Sequence, residues 1–169
     1  MSRPVRTFHH RSSVWLPRPL AEVFPFFADA GNLQRITPPW VHFRIRTPLP
    51  IEMGPGALIE YTIRVHGAPL RWTTEITRWE PPYGFADEQI RGPYRKWSHT
   101  HRFREADGGT LCEDHVEYAV YGGRLIHKLF VEKDVERIFA YRRKCLEEIF
   151  GRRPDQSVPA ASGVIAAAR

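Results

Sequence analysis

Cysteine is scarce in this chain, with only two among 169 residues, and long apolar runs are absent. Two cysteines cannot form the dense disulfide framework of small secreted domains, so we expect Cys112 and Cys145 to be small buried side chains in a reducing compartment. Nowhere do about 18 apolar residues follow one another, which predicts no membrane-spanning helix. Residues 1–6 lack the apolar core of a secretory signal, and we therefore expect a cytoplasmic protein.

Several catalytic and binding motifs are also missing. The sequence has no Gly-x-Ser-x-Gly elbow, no phosphate-binding loop and no dinucleotide-binding glycine fingerprint. The formal net charge of +6 would suit an anionic partner, but no helix-turn-helix, zinc-finger or RNA-recognition motif accompanies it. We therefore expect no nucleic-acid partner.

The composition fits one globular domain followed by a tail. A hydrophobic fraction of 42% in 169 residues allows a core large enough to contain a cavity. The last helical pattern ends at Gly151, a typical C-terminal cap. Residues 152–169 have little to bury. The sequence predicts a domain over residues 1–151 and a disordered tail over residues 152–169.

Strand patterns dominate the first two thirds of the chain. Residues 8–16 read as a strand, and two short helices follow it before Thr37-Pro38-Pro39. Short turns rich in glycine and proline separate the later strands, which predicts an antiparallel meander. The six further strands are predicted at residues 41–47, 57–66, 70–80, 84–91, 94–104 and 110–121.

A long amphipathic helix is predicted from Gly122-Gly123 to residue 150. Its apolar positions recur at three-and-four spacing: Leu125, Ile126, Leu129, Phe130, Val135, Ile138, Phe139, Cys145, Leu146 and Ile149. The spacing slips between Phe130 and Val135, so we expect an irregular turn there. Only this helix is long enough to cover the apolar face of the sheet. The sequence therefore predicts an α+β fold with a curved seven-stranded antiparallel sheet around a long C-terminal helix.

One predicted strand alternates two classes of residue. Trp97, His99, His101 and Phe103 share one face, and the opposite face is polar. Buried imidazoles need hydrogen-bond partners, so this face suits a cavity wall better than a plain core. We expect a ligand cavity bounded by Trp72, Trp97, His99, His101, Tyr118, Ile138 and Phe139. The same strand and helix parity adds Tyr61, Asp87, Gln89 and Arg142 to the predicted ligand-binding residues.

His99 and His101 are the candidate catalytic residues, together with Asp114. Held by Asp114 or Asp87, either imidazole could exchange a proton with a bound carbonyl or hydroxyl group. The alternative is that the histidine and aspartate pairs only satisfy a crowded interior. The His-x-His spacing can also hold a metal, but no metal-binding motif supplies the remaining ligands. We expect no metal and no cofactor.

Arg142 falls close to the apolar stripe of the predicted helix. A buried guanidinium there needs a carboxylate such as Asp87 or Asp114, or an anionic group of a ligand. We favour the structural ion pair.

Five motifs carry a resemblance to a known superfamily. They are Asn32-Leu33 through Ile36-Thr37-Pro38-Pro39, Phe85-Ala86-Asp87-Glu88-Gln89, Gly92-Pro93-Tyr94, Trp97-x-His99-x-His101-x-Phe103 and Phe139-x-Tyr141-Arg142. With the element order, they resemble the START-like ligand-binding superfamily (SRPBCC) over about residues 7–150. Within it, the chain looks like a small bacterial member, of polyketide cyclase/dehydrase type or of unassigned ligand-binding type. The resemblance implies a helix-grip fold, on which lipid carriers, cyclases and oxygenase domains are all built.

Three functions follow from these predictions. The first is binding of a hydrophobic small molecule, such as a lipid, isoprenoid or polyketide-like aromatic, between the sheet and the C-terminal helix. The second is an enzyme that closes or dehydrates a polyketide chain there, with His99 or His101 as acid or base and Tyr61 as hydrogen-bond donor. The third is a module with a filled core that binds a protein partner. We expect the cavity entrance between residues 26–40 and the Gly54-Pro55-Gly56 turn.

Overall fold

The computed structural model describes residues 5–153 and 163–166, and its strands form one antiparallel sheet. The strand order is β2-β3-β4-β5-β6-β7-β1-β8, so consecutive strands are neighbours from β2 to β7. This arrangement confirms the predicted meander, because each short turn joins adjacent strands. The strands are β1 (Phe8–Leu16), β2 (Arg44–Ile45), β3 (Leu58–Val65), β4 (Ala68–Glu80), β5 (Gly84–Arg91), β6 (Lys96–Ala106), β7 (Gly109–Ala119) and β8 (Gly163–Ala166).

Short helices follow β1, and a long helical segment precedes the tail. Helix α1 (Leu20–Ala28) contains Pro25 and ends after nine residues, and the 3₁₀ helices Ala30–Ile36 and Pro39–Val41 follow it. Helix α2 (Gly123–Ile126), a π-helical turn (His127–Val131) and α3 (Glu132–Phe150) form one continuous segment. Gly151 ends α3 at a φ of 101°, which glycine adopts without steric cost. Within the described residues, no helix is long and apolar enough to cross a membrane.

The core lies between the inner face of the sheet and the helices. Leu16, Ile76 and Leu146 are almost completely buried there, and Val23 of α1 closes the same cluster. Cys112 and Cys145 are both free and buried, as predicted for small apolar side chains. The seven predicted strands and the long C-terminal helix are therefore confirmed, and the sheet has one further strand from the tail.

The strand predicted at residues 41–47 is much shorter than expected. Only Arg44 and Ile45 pair with β3, and Val41 belongs to a 3₁₀ helix. His42 follows that helix in a left-handed conformation, with a φ of 48°. A residue at positive φ interrupts an extended chain, so the strand cannot begin before this point.

The irregular turn predicted in the long helix is present, but it lies at His127–Val131, earlier than expected. A π turn adds one residue to the helical repeat and rotates the side chains that precede it. His127 is buried as a result, whereas Leu125 and Leu129 are 68% and 57% exposed. The apolar spacing of the sequence therefore does not mark buried positions before and within the π turn. After it, Val135 and Phe139 are buried as expected.

The tail differs in part from its predicted disorder. Gly163–Ala166 forms β8, which pairs antiparallel with the first half of β1. An outer strand has unpaired backbone groups that a short extended segment can satisfy without a large apolar side-chain face. Residues 154–162 and 167–169 lie outside the described residues.

Candidate functional site

A cavity of about 440 Å³ lies between the inner face of the sheet and α3. Most of its wall is aromatic or aliphatic, with a small number of polar groups, a composition typical of sites for small molecules. Its apolar wall includes Phe27, Phe43, Ile63, Phe85, Ile138 and Phe139. Trp72 and Trp97 also line the cavity, and their rings meet edge to face at 5.4 Å between centroids.

His99 and His101 share the inner face of β6 because they are two residues apart in a strand. Both line the cavity, and both are at least 95% buried. Their rings lie 3.8 Å apart between centroids. Asp114 lies opposite His101 in the register of β6 and β7, so its carboxylate reaches both imidazoles.

Asp114 contacts the side of each imidazole that faces β7. His99 donates from Nε2 to Oδ1 of Asp114 at 2.9 Å. His101 Nδ1 is also 2.9 Å from that oxygen, but outside hydrogen-bond geometry, so the contact between them is electrostatic only. Asp114 itself does not line the cavity and therefore acts behind the histidines.

Asp87 of β5 contacts the two remaining ring nitrogens. Its Oδ2 lies 3.4 Å from His101 Nε2 and 3.9 Å from His99 Nδ1. Unlike Asp114, Asp87 lines the cavity. The two imidazoles thus lie between two carboxylates, one behind the cavity wall and one in it.

The surroundings of the histidines drive their pKa values apart. Burial and the neighbouring His101 both lower the pKa of His99, and Asp114 and Asp87 offset only part of this effect, so that the pKa is about 4. Burial also acts to lower the pKa of His101, but Asp114 and Asp87 together outweigh it and raise that pKa above its usual value. Burial disfavours the Asp114 carboxylate, yet the two imidazoles hold its pKa well below the usual range. His101 therefore keeps its positive charge to a higher pH than a free imidazole does, whereas His99 is neutral near neutral pH.

Asp87, His99 and His101 are also the group, among the described residues, that could hold a metal ion. One ligand atom from each lies within 4.8 Å of the others. Ligand atoms around a tetrahedral zinc are closer, about 3.3 Å apart from its bond lengths. The side chains would therefore have to move inward to bind zinc.

Tyr61, Trp72 and Thr74 form a second polar group in the cavity wall. Trp72 donates from Nε1 to Oγ1 of Thr74 at 3.1 Å, and the Tyr61 hydroxyl lies 3.5 Å from the same oxygen. Burial raises the pKa of Tyr61, so its hydroxyl stays protonated and can donate to a ligand.

Arg142 does not form the ion pair predicted from the sequence. Arg142 lines the cavity, and its guanidinium carbon lies 5.8 Å from the centre of the Phe139 ring. Its Nε is buried without a partner. The prediction fails because Asp87 and Asp114 are paired with His99 and His101 instead.

Two predicted ligand-binding residues lie outside the cavity wall. The Gln89 side chain bonds to the backbone of Tyr94, donating from Nε2 at 2.8 Å and accepting at Oε1. Tyr118 is completely buried, and its hydroxyl lies 2.9 Å from His127 Nε2. Both side chains face inward as the strand parity predicts, but local partners occupy their polar groups.

Sequence reasoning missed several residues at the rim of the cavity. His66 and Gly67 in the turn between β3 and β4 line it, as do Asp134 and Arg137 of α3. His66 Nε2 lies 2.9 Å from Oδ2 of Asp134 and connects that turn to the helix. In the sequence these residues look like an ordinary turn and a solvated helix face, so no local signal reveals their position. Of the two sides of the predicted entrance, the region of residues 26–40 contributes to the cavity wall, whereas the Gly54-Pro55-Gly56 turn does not line the cavity.

A curved antiparallel sheet around a long C-terminal helix, with a cavity between them, defines the helix-grip class of START-like proteins. The model of the family "Polyketide cyclase / dehydrase and lipid transport" matches residues 16–141. The chain belongs to this family, whose members bind ligands on this scaffold.

Solved structures of other proteins share this fold. The aromatase/cyclase Zhui from Streptomyces sp. R1128 superposes with a TM-score of 0.66 and 19% identity, covering 88% of this chain and 96% of Zhui. Ara h 8.0201 gives a TM-score of 0.63 and 18% identity, covering 85% of this chain and 97% of its own. The nucleoside-diphosphate sugar epimerase from Corynebacterium glutamicum gives 0.58 and 24%, covering 82% of this chain and 28% of the epimerase. No curated protein sequence matches the chain. At these identities the structures show the fold alone.

Proposed function

We propose that the protein binds a hydrophobic small molecule, such as a lipid, isoprenoid or polyketide-like aromatic, in the cavity between the sheet and α3. The observation that carries this proposal is the cavity of about 440 Å³ with its mainly apolar wall. An apolar molecule gains free energy by leaving water for such a wall, at about 25 cal/mol for each Å² buried. Trp72 and Trp97 in the wall would report binding by a change in fluorescence.

Titration with Nile red, an uncharged apolar dye, tests this function. We expect saturable one-to-one binding with quenching of tryptophan fluorescence. Ile138→Trp should weaken it at least tenfold, because Ile138 lines the cavity and the larger side chain fills it. Ile149→Trp is the matched control, since Ile149 is on the same helix but 37% exposed and away from the cavity. Absence of binding by the wild type, or equal binding by the Ile138→Trp variant, would contradict the proposal.

The histidine cluster favours a second candidate function, proton transfer to and from a bound polyketide-like chain. Groups whose pKa values are driven apart can serve as base and acid. Neutral His99 would take the proton from the carbon next to a carbonyl, and protonated His101 would give its proton to the departing hydroxyl, so that water leaves. Tyr61 would donate a hydrogen bond to the carbonyl oxygen.

A β-hydroxyacyl thioester of N-acetylcysteamine is a suitable substrate for testing this second function. We expect mass spectrometry to show loss of one water from the thioester. His101→Ala should reduce the rate about 100-fold, within the range for removal of a general acid. His115→Ala is the control, because His115 pairs with His9 at 3.1 Å and does not line the cavity. A wild type without dehydration, or an unaffected His101→Ala variant, would rule out this candidate and leave ligand binding intact.

A further inference from the structure

Arg142 is a positive charge on an otherwise apolar helix face. It follows Phe139 by three residues and Ile138 by four, so all three side chains lie on one face of α3. Phe139 is buried on this face and Ile138 lines the cavity. An arginine at such a position is costly unless a partner compensates the charge, because burial removes part of its hydration.

No protein partner for this charge is present in residues 5–153 or 163–166. The Arg142 side chain has neither an ion pair nor a hydrogen bond there, and its Nε is buried and unsatisfied. The contact with the Phe139 ring, at 5.8 Å, is a cation–π interaction and satisfies none of the guanidinium N–H groups. The other arginines of α3 differ in this respect, since Arg143 donates to Glu147 at 3.0 Å.

Tyr61 provides a second donor in the same wall. Its ring lies in the cavity wall next to Trp72, with 5.6 Å between ring centroids. Thr74 accepts a hydrogen bond from Trp72 and can donate its own proton to the Tyr61 oxygen. In that arrangement Tyr61 does not use its hydroxyl proton on Thr74 and can donate it to a ligand. The positive charge of Arg142 is close enough to lower the pKa of Tyr61, which opposes the rise in that pKa caused by burial.

We infer that Arg142 and Tyr61 form a subsite for the carboxylate of an amphipathic ligand whose apolar body fills the cavity. This inference rests on the proposed binding function and names the ligand class. The planar guanidinium fork matches the two oxygens of a carboxylate. One guanidinium neutralises one negative charge, and Asp87 in the same wall disfavours a second. A monocarboxylate therefore fits this wall better than a phosphate dianion.

The experiment compares decanoic acid with 1-decanol as competitors of bound Nile red at neutral pH. The two competitors have the same chain length, and only the acid is charged. For the wild type we expect the acid to displace the dye at a concentration at least tenfold lower than the alcohol. For Arg142→Gln, with the dye concentration set from its own Nile red titration, we expect equal displacement by both competitors, and circular dichroism shows that the variant is folded. Arg142→Lys should keep part of the preference, because the charge remains without the fork.

Arg143→Gln is the matched control for net charge. Arg143 is adjacent in sequence, pairs with Glu147 and does not line the cavity, so this variant should keep the full preference for the acid. Equal displacement by acid and alcohol in the wild type would overturn the inference while leaving hydrophobic binding intact. A preference that survives in Arg142→Gln, or disappears equally in Arg143→Gln, would also overturn it. Failure of the wild type to bind Nile red would overturn both proposals.

Discussion

The imidazole rings of His99 and His101 lie 3.8 Å apart between centroids, tilted by 39° to each other, between the carboxylates of Asp87 and Asp114. Two positive charges at that separation repel each other strongly in a buried site. The two histidines therefore have different pKa values, although the same two carboxylates contact both of them.

Titration of the histidines followed by NMR should separate them. We expect the His99 pKa near 4 and the His101 pKa above the ordinary value of 6.5. Protonated His101 stabilises the fold below pH 6.5, and this contribution is lost as pH rises through its folded-state pKa. The lowered pKa of His99 has the opposite effect on the free energy of unfolding. Stability is lost as pH falls from 6.5 toward about 4, because the unfolded chain then binds a proton that the folded chain does not. Two ring signals with the same midpoint would contradict this assignment.

Asp114→Asn should lower the pKa of His101, because one of its two carboxylate partners is then uncharged. It should also lower the free energy of unfolding by about 3 kcal/mol, as expected for the loss of one partner in a buried ionic group. Glu113→Gln is the control, since Glu113 is the adjacent residue of β7 and its side chain is 45% exposed. NMR titration and chemical denaturation provide the two measurements. An unchanged His101 pKa in Asp114→Asn would contradict the role given to Asp114.

His10→Leu should stabilise the protein against acid. His10 is completely buried, and neither ring nitrogen has a hydrogen-bond partner. Burial lowers the pKa of His10, so protonation below pH 6.5 favours unfolding. Leucine has a similar volume and removes the unsatisfied groups, which cost about 1–3 kcal/mol. Melting temperatures at pH 7 and pH 5 should show a smaller acid-induced decrease in the variant, and an equal decrease would exclude His10 as a source of acid sensitivity.

Leu129→Asn and Val135→Ala test the rotation of the long helix at the π turn. Leu129 is 57% exposed and Val135 is 1% exposed, although both belong to the apolar pattern of the sequence. We expect Leu129→Asn to change the free energy of unfolding by less than about 0.5 kcal/mol. Val135→Ala should cost about 2 kcal/mol, because it leaves a cavity. A comparable loss in both variants, measured by urea denaturation, would mean that Leu129 is packed.

Deletion of residues 152–169 should leave the melting temperature nearly unchanged. The described contacts of this segment are the four-residue pairing of β8 with β1, the surface ion pairs of Arg152 with Glu147 and of Arg153 with Asp107, and a cation–π contact of Arg153 with Trp15. An edge strand of that length adds little stability, and an exposed ion pair contributes about 0–1 kcal/mol. Calorimetry of the full chain and the shortened chain measures the difference. A decrease of several degrees would show that the tail is part of the folded domain.

The sequence alone determined most of the fold and the composition of the site. The inward face of β6 could be assigned from the alternation of Trp97, His99, His101 and Phe103, because successive side chains of a strand point to opposite sides whatever surrounds them. Turns at Gly and Pro positions separated the strands, and three-and-four spacing identified the long helix. These features depend on local geometry, which a sequence records directly.

Only the tertiary structure decided which polar groups are paired. Parity correctly predicted that Asp87, Asp114 and Arg142 lie on inward faces. The strand registers place both carboxylates against the histidines, so neither of them pairs with Arg142. The π turn likewise rotated Leu129 outward and His127 inward against the sequence pattern. Pairing and rotation depend on neighbours distant in the chain, so local periodicity could not predict them.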